Sequence, residues 1–233
     1  MNNKNKIQRV HFERIVSTQD YAKEKRAAGI PLIVTAAYQS GGKGTKGRSF
    51  VSGAGGVYLS KLTFHESLPA KAAFQIMAGA AVAVCETLRF YGLKPLIKWP
   101  NDVFVQDKKI CGILIENVFS GNKVASSIVG IGLNVFNALP DELLPIATTI
   151  LTETGKRYSV EEVTSHLIEE LDKPCDMELY QSYIGYLGKE VGLIIGDERV
   201  HGTLISVDKE GGLHVCIDGE NRRLTAAEVS VRI

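Results

Sequence analysis

No segment of the chain is expected, by the usual signals, to carry it out of a cell or into a membrane. Its first ten residues, MNNKNKIQRV, are polar and contain no apolar h-region, so no secretory signal is expected there. No uninterrupted apolar run reaches the roughly 18 residues of a membrane span. Cysteine is scarce, with four in 233 residues, none in a C-x-x-C pair. Cys85, Cys111, Cys175 and Cys216 are far apart, and no disulfide framework is expected. Cys85 and Cys111 sit in apolar runs and are expected to pack as small core residues. Charge of one sign is also lacking. A formal net charge of +1 gives no bulk attraction to nucleic acid or an anionic membrane. The 45% hydrophobic and 23% charged fractions are ordinary for a globular protein, and the expected compartment is the cytoplasm.

Glycine is not scarce, and its placement is informative. Of 23 glycines, several crowd into residues 41–56. Ser40-Gly41-Gly42-Lys43-Gly44-Thr45-Lys46-Gly47-Arg48-Ser49-Phe50 cannot build a core. It follows the apolar strand candidate Leu32 to Tyr38 and precedes another, Val57 to Phe64. Backbone amides in such a loop can approach a ligand closely, and its three cations can meet phosphate or carboxylate. The Walker A pattern is absent, and a flexible basic linker is the plain alternative.

The organising stretch is Ile97 to Glu116, IKWPNDVFVQDKKICGILIE. It reads as strand, turn, strand, with a Pro100-Asn101-Asp102 corner and a polar reversal at Gln106 to Lys109. Lys98, Asn101, Asp102 and Lys109 are thereby fixed on a stiff apolar hairpin. An ordinary surface hairpin with solvated lysines is the bland reading. The sharper one has Asn101 and Asp102 holding a phosphate-bound cation and Lys109 reaching a reacting group.

Taken in order, Val10 to Val16 reads as a short strand, and Ser17 or Thr18 caps a helix running to Ala28. In Val57 to Phe64, Val57, Leu59 and Leu62 are assigned broadly to one side. Ala70 to Tyr91 reads as a long helix with an alanine-rich face, closed by Gly92. Val124 to Val135 is a strand in which Gly130 and Gly132 alternate, signalling close approach by a ligand or another backbone, or mere packing. Ile146 to Thr154 is helix-like, and Ser159 caps a helix from Val160 to about Leu187, interrupted near Pro174. From Gly188 onward, short strands at about ten-residue spacing suggest a small barrel.

Lys-Trp-Pro-Asn-Asp followed by Lys-Ile-Cys-Gly-Ile-Leu-Ile-Glu resembles the biotin protein ligases. Three more motifs fall in the family's order. Ser17-Thr18-Gln19 resembles its Ser-Thr-Asn, Gln39 with Gly42 to Arg48 its glycine–arginine loop, and Gly130-Ile131-Gly132-Leu133-Asn134 its Gly-x-Gly-x-Asn. The resemblance implies an α+β fold: a mixed, largely antiparallel sheet backed by helices, of the class II synthetase-like ligase kind, over residues 1–187. An SH3-like barrel over 188–233 would follow. It implies that biotin attacks the α-phosphate of MgATP, giving biotinyl-5′-AMP and pyrophosphate. A lysine of a biotin carboxyl carrier domain, from acetyl-CoA carboxylase or a related carboxylase, then takes the biotin.

Carried onto this chain, the catalytic residues would be Lys109, Lys43 and Arg48. Ser17, Thr18, Gln19, Gln39, Gly42, Lys43, Gly44, Thr45, Lys109, Gly112, Gly130 and Gly132 would bind biotin. Lys46, Arg48, Phe50, Asn101 and Asn134 would meet the nucleotide, and Asp102 would hold Mg²⁺ through the phosphates. Departures are Lys43 and Thr45 for two loop arginines, Phe50 for the common tryptophan, and Gln19 for asparagine. The family arginine at Thr45 helps retain the adenylate, so a leakier intermediate is expected. The match begins by about residue 10, which leaves no room for a winged-helix domain, and no nucleic-acid partner is expected. Monomer and homodimer both stay open. The rivals are a lipoate or octanoate ligase or transferase on the same fold, and a non-catalytic module that binds biotin or its adenylate.

Overall fold

A computed structural model describes residues 7–226 and 229–232, and of Lys46 and 229–232 it describes the backbone alone. The polar residues 1–6 and parts of the last expected strand (227, 228 and 233) lie outside the described residues. In chain order the first half runs β1 (Gln8–Phe12), α1 (Thr18–Lys25), β2 (Leu32–Ala36), β3 (Gly56–Phe64), α2 (Ala73–Phe90), β4 (Pro95–Lys98), β5 (Asp102–Val105), β6 (Lys108–Ser120) and β7 (Lys123–Asn134). Then come α3 (Ile150–Thr154), α4 (Val160–Leu171), α5 (Met177–Ser182), β8 (Glu190–Ile195), β9 (Glu198–Val207), β10 (Leu213–Ile217), β11 (Glu220–Leu224) and β12 (Val229–Arg232). The fold is α+β, with a seven-stranded sheet in the order β1-β2-β3-β7-β6-β5-β4. Only the β1–β2 pairing in it is parallel.

The two faces of that sheet have different chemistry because side chains alternate along each strand. One face carries Val57 and Leu59 of β3, Val129, Ile131 and Leu133 of β7, and Cys111 and Ile113 of β6, all in the main core. There α2 lies, burying Ala78, Ala80, Ala81, Ala83, Val84, Cys85 and Leu88. Small side chains let the helix approach closely, as its alanine content suggested. Cys85 and Cys111 are buried and free, and burial pushes both thiols up. The segment Ala70–Phe90 is long and apolar enough to cross a membrane by length and composition, with a mean hydropathy of 1.3, and half of that stretch is buried inside the fold. Counting uninterrupted apolar residues missed it, because Gln75, Glu86, Thr87 and Arg89 break the run.

The opposite face carries Tyr58, Ser60 and Leu62 of β3, which pair with Gly132, Gly130 and Ile128 of β7. Leu62 packs here with Ala22, Leu32, Val34 and Ile128 beneath α1, not on the side of Val57 and Leu59. The period of two requires this, since 57 and 62 differ by an odd number. Across from β7, Gly112 faces Gly132, Leu114 faces Gly130 and Glu116 faces Ile128. This face is therefore stripped to glycine at three neighbouring positions, and a cavity forms there.

Other elements differ from the sequence expectation in extent. β1 ends at Phe12, and Ile15 makes only an isolated bridge to Gln39. The long helix starts with a 3-10 turn at Ala70–Ala72 and ends at Phe90, with Gly92 in the left-handed region at φ 81°. The expected 160–187 helix is two, separated around Pro174, and the second stops at Ser182. Of Ile146 to Thr154 only the α3 segment is helical, because Ala147 pairs with Lys109 instead.

The C-terminal strands form a five-stranded antiparallel sheet, β11-β10-β9-β8-β12. Its β9–β10 turn is held by Asp208, which accepts from Arg223 Nε at 2.6 Å and from the amides of Gly212 at 2.8 Å and Glu210 at 2.9 Å. Partial burial opposes the charge, but these donors outweigh it and hold the carboxyl well below its ordinary value of 3.8. A depressed folded pKa stabilises the fold above 3.8 and loses that effect as pH falls through the folded value. Wild type is thus expected to melt higher than Asp208→Asn at neutral pH, with the gap narrowing in acid below about pH 4. A melting gap independent of pH would count against this role.

Candidate functional site

A cavity of about 680 Å³ opens on the glycine-stripped face, a size suited to a small-molecule ligand. Its floor is Gly112, Gly130 and Gly132. What a side chain would meet there is specific. A Cβ on Gly130 would lie 2.5 Å from Gln19 Oε1, and one on Gly132 would lie 2.4 Å from the Phe50 ring.

One wall is the N-terminus of α1. Ser17 caps it, its side chain accepting from the amide of Asp20 at 3.3 Å. Thr18 donates from its amide, at 2.8 Å, to Gln39 Oε1, and its hydroxyl lies 3.0 Å from the same oxygen and 2.9 Å from Ser60 Oγ. Ser60 donates to Gln19 Oε1 at 3.1 Å, and Gln19 Nε2 donates to Glu116 Oε2 at 3.1 Å. Gln39 Nε2 in turn donates to Ser52 Oγ at 3.0 Å, whose hydroxyl bonds Phe50 O at 2.9 Å. A connected polar network thus lines one end of the cavity. Ser17, Thr18 and Gln19 are all buried.

The roof is the glycine-rich loop, folded back on itself. Gly44 N donates to Arg48 O at 2.7 Å and Phe50 N to Gly42 O at 2.9 Å, with a 3-10 turn at Thr45–Gly47 as the tip. Gly42 is packed behind the roof, where a Cβ would sit 2.4 Å from both Phe50 O and Ser52 Oγ. Lys43 Nζ contacts Asp20 Oδ1 at 2.6 Å, and this bond holds the ammonium above its ordinary pKa. Arg48 bends onto the loop tip, donating to Thr45 O at 3.3 Å and Thr45 Oγ1 at 3.1 Å. The side chain of Lys46 lies outside the described residues.

The far wall is the Pro-Asn-Asp corner. Asp102 Oδ1 and Lys109 Nζ meet at 2.6 Å, with side chains 21% and 33% exposed. Lys109 is thus at once paired and open to the cavity. Asn101 Nδ2 donates to Ile113 O at 3.0 Å, which braces the corner against β6. Asn134 is buried at the end of β7, donating to Thr148 O at 3.1 Å and accepting from Asn137 at 3.1 Å. Leu139, Leu143 and Ile146 add an apolar patch beside it.

Sixteen of the residues singled out from sequence line this one cavity: Ser17, Thr18, Gln19, Gln39, Lys43, Gly44, Thr45, Arg48, Phe50, Asn101, Asp102, Lys109, Gly112, Gly130, Gly132 and Asn134. Gly42 does not line it. Phe50 lies with its ring against Gly112 and Gly132 on the glycine floor. Ser60, Ser52, Glu116, Asp20 and Asn137 were not foreseen. Ser60 and Glu116 could have been, since each interrupts one face of its strand, Ser60 between Tyr58 and Leu62 in β3 and Glu116 between Leu114 and Val118 in β6.

The arrangement sets Lys43, Arg48 and Lys109 around a slot with a polar end and an apolar end, which suits binding and activating an anionic ligand. The model of the biotin/lipoate A/B protein ligase family matches residues 11–134. The biotin–[acetyl-CoA-carboxylase] ligase of Paracoccus denitrificans is 30% identical over 84% of this chain and 88% of its own length. The bifunctional ligase/repressor BirA of Escherichia coli is 29% identical over 84% of the chain, which spans 65% of that relative's length. The biotin protein ligase of Aquifex aeolicus, solved in complex with biotin and ATP, superposes with a TM-score of 0.78. It is 28% identical, over 97% of this chain and 98% of its own.

Proposed function

Because the chain belongs to the biotin/lipoate A/B protein ligase family, we propose that it is an ATP-dependent biotin protein ligase. The observation that carries this is one cavity joining the Thr18–Gln39 polar end, the glycine floor and the Asp102–Lys109 pair. The polar end suits the ureido ring. The floor lies where the ring and chain would pass. Lys109 then meets the carboxyl end.

In the first half-reaction a biotin carboxylate oxygen forms a bond to the α-phosphorus of ATP, and pyrophosphate leaves. The two reactants are both anions, so the chain's task is juxtaposition and charge neutralisation. Lys109 offsets the carboxylate and then the developing oxyanion. Lys43 and Arg48 serve the same end from the roof once their present partners, Asp20 and Thr45, are exchanged for ligand. In the second half-reaction a carrier lysine amine bonds the acyl carbon, AMP leaves, and the amine proton goes to solvent or the departing phosphate. The acceptor in this reading is a biotin carboxyl carrier domain.

Mg²⁺ fits as an ion held mainly by phosphates. Among the described residues no three His, Cys, Asp or Glu side chains cluster to cage a metal, and Asp102 is the carboxylate at the corner. Mg²⁺ characteristically takes one or two carboxylates and completes its shell with phosphate and water. Its contribution would be to neutralise the triphosphate.

The reading divides the chain at about residue 187, with the C-terminal sheet as an SH3-like barrel; five short antiparallel strands support that shape. It places the enzyme in the cytoplasm without a nucleic-acid partner, in keeping with the net charge of +1. The reading applies to monomer and homodimer alike.

The family also includes lipoate ligases, which activate an acyl chain without a ureido ring. The network of buried Thr18, Gln19 and Ser60 with half-buried Gln39 weighs against that chain, since an alkyl tail would desolvate these groups without bonding them. The test is pyrophosphate release with MgATP and either biotin or octanoate. Biotin-dependent release is expected; octanoate-dependent release moves the assignment to the lipoate branch. Silence with both acids alongside tight biotin binding points to a non-catalytic binder.

Thr45 leads to a further expectation. Its hydroxyl now occupies Arg48, whereas an arginine there would add a fork for phosphate. Thr45→Arg should slow escape of the adenylate, read by trapping labelled adenylate after gel filtration. Equal escape rates from the two proteins would remove the idea.

A further inference from the structure

We propose that Glu116 is a positioning residue that fixes which end of the Gln19 amide faces the cavity, and so selects a ligand ring bearing N–H donors. The inference rests on the biotin reading above. Gln19 is buried in the first turn of α1, 4% exposed. Its Nε2 donates to Glu116 Oε2 at 3.1 Å, and its Oε1 accepts from Ser60 Oγ at 3.1 Å. Glu116 itself is outside the cavity lining. It is anchored from the other side by Lys23 Nζ, 2.9 Å from Oε1.

Chemistry makes this contact directional. An ionised carboxylate only accepts, so it must face the NH₂ end of an amide. Turning Gln19 over would set its carbonyl against the Glu116 carboxylate. Glu116 therefore points Gln19 Oε1 at the floor, where it lies 2.5 Å from the position of a Cβ on Gly130. A carbonyl oxygen has two lone pairs and Ser60 takes one, leaving the other for a ligand. The neighbouring Gln39 Oε1 is more heavily used, with the Thr18 amide and hydroxyl both within 3.0 Å. Gln19 Oε1 thus keeps an acceptor position for an N–H at the floor.

The sheet register explains why Glu116 is in reach. Glu116 lies on the same face of β6 as Gly112 and Leu114, one pair beyond the Leu114–Gly130 position. Side-chain length matters equally. Asparagine at position 19 would stop one methylene short of Glu116, so Gln19 and Glu116 act as a unit.

The experiment measures pyrophosphate release with MgATP for wild type, Glu116→Gln, Gln19→Asn and the double variant. Each is assayed with biotin and with biotin methylated on a ring nitrogen, and wild type also with octanoate. Glutamine at 116 is isosteric and can either donate or accept, so it removes the directionality while keeping the packing. The expected result is a KM for biotin raised about tenfold in Glu116→Gln, the worth of about one hydrogen bond, with kcat changed far less. Its preference for biotin over the methylated ring should narrow by a similar factor. In the Gln19→Asn background, adding Glu116→Gln should change nothing further, since the pair is already broken. An unchanged KM and ring preference in Glu116→Gln, or effects that multiply in the double variant, would overturn the positioning role while leaving the ligase reading intact. Wild type inactive with biotin but active with octanoate would overturn both.

Discussion

Replacing Lys109 with alanine is expected to lower kcat for biotin-dependent pyrophosphate release by about 10²–10³, the usual cost of removing one preorganised charge from a developing oxyanion. Lys109 is in place before any ligand arrives. Its backbone is pinned twice, by Lys109 N to Ile146 O at 2.9 Å and by Thr148 N to Lys109 O at 2.9 Å. Its ammonium is pinned by Asp102 at 2.6 Å. The ion pair is partly exposed, and such pairs contribute only about 0–1 kcal/mol to stability. The melting temperature of Lys109→Ala should therefore move by a few degrees at most, which separates lost chemistry from lost fold. Lys109→Arg should recover part of the charge but not the geometry, because a planar guanidinium fork does not place its charge where the compact ammonium sits, 2.6 Å from Asp102. A variant that keeps near wild-type kcat would remove Lys109 from the chemistry.

Gly132→Val should abolish ligand binding while leaving the sheet intact. The first atom of any side chain here falls 2.4–2.8 Å from Phe50, closer than real contacts allow, and the atoms it meets belong to one ring on the loop. That ring can move, so the strand survives; the ring and the added methyls then fill the slot between Gly112 and Gly132. The loss in biotin affinity should exceed about 100-fold by calorimetry, two steps of 1.4 kcal/mol, with circular dichroism unchanged. Gly42→Ala offers a contrast. Its Cβ would meet Phe50 O and Ser52 Oγ, both part of the loop's own scaffold, so the roof itself should be disrupted. Tight biotin binding by Gly132→Val would mean that the ligand does not lie on the glycine floor.

Much of this was legible without coordinates where the signal is local. Pro100-Asn101-Asp102 is a corner because of its own side chains, and the loop of Gly41 to Arg48 cannot be core because it has nothing to bury. Alternating Gly130 and Gly132 announced a bare strand face. What they approach was not local: a Gln19 carbonyl in one case and the Phe50 ring in the other. Lys43 and Arg48 read as cations able to meet phosphate or carboxylate, but pattern alone does not reveal that Lys43 takes Asp20 and Arg48 takes Thr45. The side on which Leu62 packs was misjudged for another reason, since a strand buried on both faces shows no clean alternation.

The sequence alone determined which residue types bear on chemistry, and in what order they occur along the chain. It placed a basic glycine loop, a Lys-bearing hairpin and a glycine-floored strand, because turn chemistry, backbone permissiveness and period-two alternation act within a few residues. Tertiary structure decided how these meet. Gln19 and Glu116 are 97 positions apart, and Lys43 reaches back 23 to Asp20. Such contacts are set by strand register and by the docking of α1 on one face of the sheet. Those follow from burying Leu32, Leu62 and Ile128 together beneath Ala22. Burial of apolar area is non-directional and acts through the whole packed face, so no local pattern states which polar groups it brings together.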